Sequence, residues 1–319
     1  MRNKGIVIFL IILAAIIIVV VALDFNASKP DQQPANPYAF NVDPFSKIDT
    51  SLIKYKESRD FAISFFEPAG INFRDSLLFV VGDQKMQIIE MTGKLLKEVS
   101  FEKKPTCVYA SAKNIFVGFR KSLAVLNRDG VTTTEWNSFS DSTVITSIAE
   151  KSGIVFVADA GKRVIHKFSP DGKSIGEIEG KSGNDQVHGF IIPSPYFALA
   201  FNADGELWVV NPGKHSIENY TVDGKLRTWW QASSIKIEGF SGCCNPAHFA
   251  FLPDGSFVTS EKGMIRIKTY KPSGEFSGVV AAPSKFADNG HAPDLAVDSQ
   301  GNIYALDIDK KMLRLFVKK

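Results

Sequence analysis

The chain has 319 residues, of which 45% are apolar and 22% charged, a composition that excludes wholesale disorder and allows a sizeable buried core. Its formal charge of +3 is largely N-terminal: once Arg2 and Lys4 are set aside, 35 basic residues face 34 acidic ones. The basic residues are scattered singly through strand-like segments, so no nucleic-acid partner is expected.

Residues 5–23 read GIVIFLIILAAIIIVVVAL, nineteen residues without a charge. At ~1.5 Å rise per residue a helix of this length spans about 28 Å, close to a bilayer core. A cleaved signal peptide would have a shorter apolar region ending at a small-x-small site, and no cysteine follows the run to serve as a lipoprotein anchor. A retained transmembrane signal anchor is therefore expected. Arg2 and Lys4 precede it and Asp24 follows it, so the positive-inside rule puts residues 1–4 in the cytoplasm and the rest in the periplasm or extracellular space. Residues 24–44 contain the proline-rich, polar stretch NASKPDQQPANPYAFNVDP, which has no strand or helix period and reads as a flexible tether.

Residues 45–319 are dominated by an internal repeat. The clearest unit begins at Phe197, FALAFNADGELWVVNPGKHSIENYTVDGKL, and it recurs from Phe249, Asp294 and Thr146, with weaker copies from Ile71 and Cys107. First turns fall near Asp75, Lys113, Gly153, Gly205, Gly255 and Gly301, a spacing suited to four-stranded propeller blades. A later turn in each unit carries Gly93, Gly130, Gly172, Gly224 or Gly274, where positive φ costs glycine little. Six units predict an all-β fold, a six-bladed β-propeller preceded by one transmembrane helix. The last unit stops at Lys319 after its third strand, while LIKYKESRDFAISF at residues 52–65 belongs to no unit. That segment is expected to supply the outer strand of the last blade and close the ring.

The stretches LWVVNPGKHSIENYTVDG, IYALDIDKKMLRLF and FVTSEKGMIRIKTYKPSG resemble the NHL repeat, in which a strand ends at an acidic or amide residue and the next leads to a glycine turn. The resemblance implies architecture and leaves activity open, because NHL propellers include enzymes, receptors and interaction platforms. The first two units, from Ile71 and Cys107, depart from the pattern, with Gly118-Phe119 where an acidic residue would stand.

In such a ring the connection entering each inner strand crosses one face toward the central channel. Cys107, His188, Cys243, Cys244, His248 and His291 are expected in those connections. Imidazole and thiolate groups gathered this way have the composition of a zinc or copper site, with His188, His248 and His291 as candidate ligands. The segment FSGCCNPAHFAFLPDG marks a candidate ligand-facing loop containing Cys243, Cys244, Asn245 and His248. Its cysteines have three competing fates: a vicinal disulfide, a bond from one of them to Cys107, or a buried inert pair. Three blades separate Cys107 from the pair, farther than the ~4.4–6.8 Å between Cα atoms that a disulfide tolerates, so a Cys107 crosslink is not expected.

Glu261 occupies the position of Asp159, Asn211 and Asp307 in other units, which points to a repeated turn cap. Trp229 and Trp230 are expected to fill space between blades or form a ligand platform. Standard nucleophile-elbow, zincin, P-loop and dinucleotide motifs are absent. The leading expectation is a membrane-anchored binding module that meets a protein partner at the membrane. One alternative is an enzyme with a metal at the channel mouth, similar in architecture to the peptidyl-hydroxyglycine amidating lyases. That resemblance implies that His188, His248 and His291 correspond to zinc histidines, with no counterpart assigned for the family's catalytic tyrosine and arginine. A further alternative is an accessory protein of a periplasmic redox or metal pathway.

Overall fold

The computed structural model describes residues 2–27, 43–181 and 189–319. The chain divides into two units, Met1–Val42 and Asp43–Lys319. In the first, helix α1 spans Arg2–Ala27, running past the expected end at Leu23. Within its stretch Lys4–Asp24 an 18-residue window reaches a mean hydropathy of 3.8, and the stretch is long and apolar enough to cross a membrane. The middle of the expected tether, residues 28–42, lies outside the described residues, as does His188.

The second unit is a six-bladed β-propeller. After a short helix at Asp43–Ser46 and a 3-10 turn at Thr50–Leu52, strand β1 spans Tyr55–Ala62. Blade 1 follows as β2–β5 (Pro68–Arg74, Leu77–Gly82, Lys85–Glu90, Leu95–Ser100) and blade 2 as β6–β9 (Pro105–Ala110, Asn114–Phe119, Ser122–Asn127, Thr132–Trp136). Blade 3 is β10–β13 (Ile145–Lys151, Ile154–Asp159, Val164–Phe168, Ser174–Ile178). Blade 4 is β14–β17 (Leu199–Phe201, Leu207–Asn211, Ser216–Tyr220, Leu226–Gln231) and blade 5 is β18–β21 (His248–Phe251, Phe257–Ser260, Ile267–Tyr270, Phe276–Ala281). The last blade holds β22–β24 (Asp294–Val297, Ile303–Asp307, Met312–Lys318).

Ring closure follows the sequence expectation. Strand β1 pairs antiparallel with β24 from Tyr55↔Lys318 to Ala62↔Met312, so blade 6 has the order β22-β23-β24-β1. The C-terminal edge that three strands would leave open is thereby paired. The two weaker units, from Ile71 and Cys107, form complete blades like the others.

Each blade is half a core. The middle strands alternate apolar residues toward both faces, and six buried clusters form, one at each junction between neighbouring blades. At the closing junction Ile71, Leu78 and Val80 of blade 1 meet Tyr304, Leu306 and Leu313 of blade 6. Gly93 shows why the turn before an outer strand needs glycine: its φ is 90°, and a Cβ there would collide with the Phe61 ring of β1. The two tryptophans separate in role. Trp230 is buried against Phe257, Phe240 and Tyr270, whereas Trp229 is 51% exposed.

The repeated acidic or amide position is a cap, as its recurrence suggests. Asp159 Oδ1 accepts from the backbone N–H groups of Val144, Gly161 and Lys162, and Asn211 Oδ1 accepts from Ile191. Glu261 Oε2 accepts from Ser241 and Asp307 Oδ1 from Lys310. In blade 1 the role falls to Asp83, one residue beyond β3, which accepts from Phe66 and Glu67. Blade 2 has no such cap, and Phe119 is buried there instead.

Candidate functional site

The six inner strands enclose a central cavity of about 270 Å³. Its polar lining is mostly consumed in joining blades. Asn72 Oδ1 accepts from Ala110 N at 3.0 Å, linking blades 1 and 2. Thr146 Oγ1 donates to Phe197 O at 2.8 Å, linking blades 3 and 4. Asp294 Oδ2 accepts from Ile71 N at 2.8 Å across the closing junction. Groups already paired in this way have little left to offer a ligand.

One end of the channel is different. Strands within a blade are antiparallel, so the entrance to each inner strand and the connection between the second and third strands lie on one face. On that face blades 4, 5 and 6 bring together Tyr196, Cys244, Lys262, His248 and Asp294. His248 opens β18 and places Nδ1 3.2 Å from Asp294 Oδ1. The Tyr196 ring stands edge-on to the imidazole, centroids 5.3 Å apart, and the Lys262 ammonium lies 5.6 Å from the centre of the Tyr196 ring.

Cys243 and Cys244 sit in the loop entering β18, with their sulfurs 3.0 Å apart and both thiols free. Cys243 is exposed and Cys244 buried. Asn245 fixes the loop: Nδ2 donates to Ser241 O at 2.7 Å and to Lys262 O at 3.2 Å, and Oδ1 accepts from Lys262 N at 2.9 Å. A second clamp comes from blade 4, where His215 Nε2 reaches Gly242 O at 2.5 Å and Nδ1 reaches Ser233 Oγ at 2.8 Å.

Behind the loop is a fully buried ion cluster. Glu261 Oε2 meets Arg266 Nη2 at 2.6 Å and Oε1 meets Lys268 Nζ at 2.8 Å, all three side chains being inaccessible to solvent. The spare donors are also satisfied: Arg266 donates to the carbonyls of Ile235, Lys236 and Gly239, and Lys268 to Gly239. Buried charge needs such complete pairing to be tolerated. Desolvation nevertheless pulls the Lys268 pKa down to about 8.

The electrostatics divide the three thiols. Burial pushes Cys107 up to about 12, helped by the Asp294 carboxylate, leaving an inert thiol. Burial also works to raise Cys244, but the contact with Cys243 and the positive charge of Lys262 outweigh it and hold Cys244 below the usual thiol range. Cys243 is raised by that same hydrogen bond and by the charge on Cys244. His248 is lowered by desolvation, with Asp294 opposing the shift. Desolvation raises Tyr196.

Of the residues singled out in the sequence, the structure brings together Cys243, Cys244, Asn245 and His248. Cys107 does not lie in a connection as expected: it is within inner strand β6, lining the channel and packed in the junction between blades 2 and 3. Its backbone is extended and paired with Gly118, so the unit begins earlier, at Pro105. His291 precedes β22 but turns Nδ1 to Asp309 Oδ1 at 2.7 Å, away from the partner that His248 uses. Among the described residues no group of three or more His, Cys, Asp or Glu is arranged to hold a metal ion; the expected set of His188, His248 and His291 includes a residue outside them. Tyr196, Lys262, Asp294 and His215 were not among the expected site residues. Lys262 follows the repeated cap position directly, which was the available signal.

No protein-family model matches the chain, and no curated protein matches it. The fold is shared with solved propellers. A streptogramin B lyase has a TM-score of 0.60 at 15% identity, over 85% of this chain and 100% of that one. A catalytically inactive histidine-to-alanine variant of virginiamycin B lyase from Staphylococcus aureus, with quinupristin, has a TM-score of 0.58 at 14% identity, over 83% and 100%. A protein of unknown function from Bacteroides thetaiotaomicron VPI-5482 has a TM-score of 0.60 at 14% identity, over 83% and 76%. At these identities the likeness is one of fold, and this chain is a six-bladed β-propeller with one apolar N-terminal helix.

Proposed function

We propose that the chain is a membrane-anchored binding module, held on the outer side of a cytoplasmic membrane by residues 5–23 and engaging a protein partner through the channel-mouth face of its propeller. The observation that carries this reading is the convergence of Tyr196, Cys244, Lys262 and the His248–Asp294 pair from three blades onto one rigidly clamped face. A stiff disc with irregular loops on one face suits recognition. The charge-free run of residues 5–23, with Arg2 and Lys4 before it, supports the anchor and its orientation.

The test uses the full chain in its native membrane, with a photo-crosslinker in place of Ser241. A discrete crosslinked partner, lost when residues 241–246 are replaced by a glycine-serine linker, supports the reading. Absence of any crosslink in membranes where the propeller is folded would overturn it. A reporter fused after Lys319 should be active only outside the cytoplasm.

A second reading, an enzyme, is favoured by the imidazole–carboxylate pair at the channel mouth and by the lyases that share the fold. Here His248 would exchange a proton with a bound substrate while Asp294 orients its ring. Conversion of quinupristin by the full chain, abolished in His248→Ala, would favour this reading over a purely binding role.

A further inference from the structure

We propose that Cys243 and Cys244 are a dithiol–disulfide couple that exchanges with disulfides arriving at the channel mouth, Cys243 forming the mixed disulfide and Cys244 resolving it. The exchange deepens the binding reading and rests on it for the compartment in which a disulfide-bearing partner would be met.

The geometry assigns the order. Exchange proceeds by attack of a thiolate on a disulfide sulfur, so the first sulfur must be reachable from solvent and the second must lie beside it. Cys243 is exposed, whereas Cys244 is only 2% exposed and has its sulfur 3.0 Å from that of Cys243. The positive charge of Lys262 on the next connection of the same blade favours the thiolate form of the inner sulfur.

Preorganisation is the second support. Ser241 N is held by Glu261, Gly242 O by His215, and Asn245 makes three bonds to Ser241 and Lys262. The two sulfurs are thus kept together by groups from blades 4 and 5, and Lys262 is delivered by the same network. Nothing in this network is needed to pack an inert pair of small apolar side chains.

With a disulfide RSSR the balance is simple. The Cys243 sulfur attacks one sulfur of RSSR, breaking the S–S bond, forming Cys243–S–S–R and releasing one RSH. The Cys244 sulfur then attacks the Cys243 sulfur, forming the Cys243–Cys244 bond and releasing the second RSH. The two cysteines lose two protons and two electrons, and RSSR takes up both.

The full chain in detergent micelles, treated with glutathione disulfide and acid-quenched for intact-mass analysis, tests the assignment. Wild type should release two glutathiones per chain and keep no adduct. Cys244→Ser should hold a stable adduct at Cys243, while Cys243→Ser should react at least roughly ten-fold more slowly, its remaining mouth sulfur being shielded. Lys262→Met should accumulate the Cys243 adduct transiently, because the resolving thiolate is depleted. Cys107 should remain unmodified throughout.

A lasting adduct on wild type, equal rates for the two serine variants, or no reaction of wild type would each overturn the proposal. Should a serine variant fail to fold, wild type alone decides in stepped glutathione buffers. A two-electron couple changes its oxidised-to-reduced ratio ten-fold per ~29.6 mV, and the lack of such a titration would refute it. Because the probe is a small disulfide, exchange can succeed while the photo-crosslink fails, or the reverse, so the two readings are judged separately.

Discussion

Blades 2 and 5 have the same four-stranded order and solve the same turn in opposite ways. In blade 2, β7 passes into β8 through Arg120 and Lys121 alone, and buried Phe119 packs edge-on against Phe101 at 5.4 Å. In blade 5, residues 261–266 separate β19 from β20, and the connection is anchored by Glu261, Arg266 and Lys268. A two-residue turn leaves few backbone groups to satisfy. A longer one exposes carbonyls and N–H groups that must find partners, and the buried ions meet that need. The longer connection also carries Lys262 to Cys244. The irregular blade, with its costly charged interior, is the one that builds the mouth.

The comparison breaks most severely at Glu261. Glu261→Ala leaves Arg266 and Lys268 without their carboxylate, and the expected loss is about 3–5 kcal/mol by denaturant melting. Phe119→Leu in blade 2, which keeps an apolar side chain in place, should cost only about 1 kcal/mol. Equal losses would show that the two turns are supported by the same physics after all.

A smaller effect is expected at Asn245, whose three hydrogen bonds hold the cysteine loop. Asn245→Ala should cost about 1–3 kcal/mol, the range for leaving buried partners unsatisfied, and should raise the alkylation rate of Cys244. Unchanged alkylation would mean that the clamp does not control access to the inner sulfur.

The mildest effect is confined to acid. Burial opposes ionisation of Asp159, but hydrogen bonds from His166, Val144 and Lys162 prevail and take its pKa from 3.8 to about 2. A carboxyl depressed on folding adds stability above its unfolded value and loses it as pH falls through the folded one. Stability should therefore decline between about pH 4 and pH 2, and Asp159→Asn should flatten that limb of the melting-against-pH curve. A variant as acid-sensitive as the parent would assign the decline to other carboxyls.

The architecture was legible because strand periods and turn residues are local signals repeated six times, and the orphan segment before Glu67 implied the closing pair. The mouth was only half legible. Adjacent cysteines and His248 stood out by type, but Tyr196, Lys262 and Asp294 join them from three blades, and no local pattern reports such convergence. The placement of Cys107 failed for a related reason: the repeat was matched at its turns, and an inner strand beginning two residues earlier moves a residue from connection to wall.

The pairing of Tyr55 with Lys318 also has a consequence in time. During synthesis β1 emerges about 260 residues before its partner β24, an interval of roughly 13–50 s at ~5–20 residues per second. Blades 1 to 5 can form their local hairpins as they appear, but blade 6 cannot be completed until β24 has emerged. Throughout that wait β1 is an unpaired strand, free to meet the wrong edge of its own chain or of a neighbour. Maturation of this protein is thus a race between ring closure and strand capture, and whatever shields β1 during those seconds governs the yield.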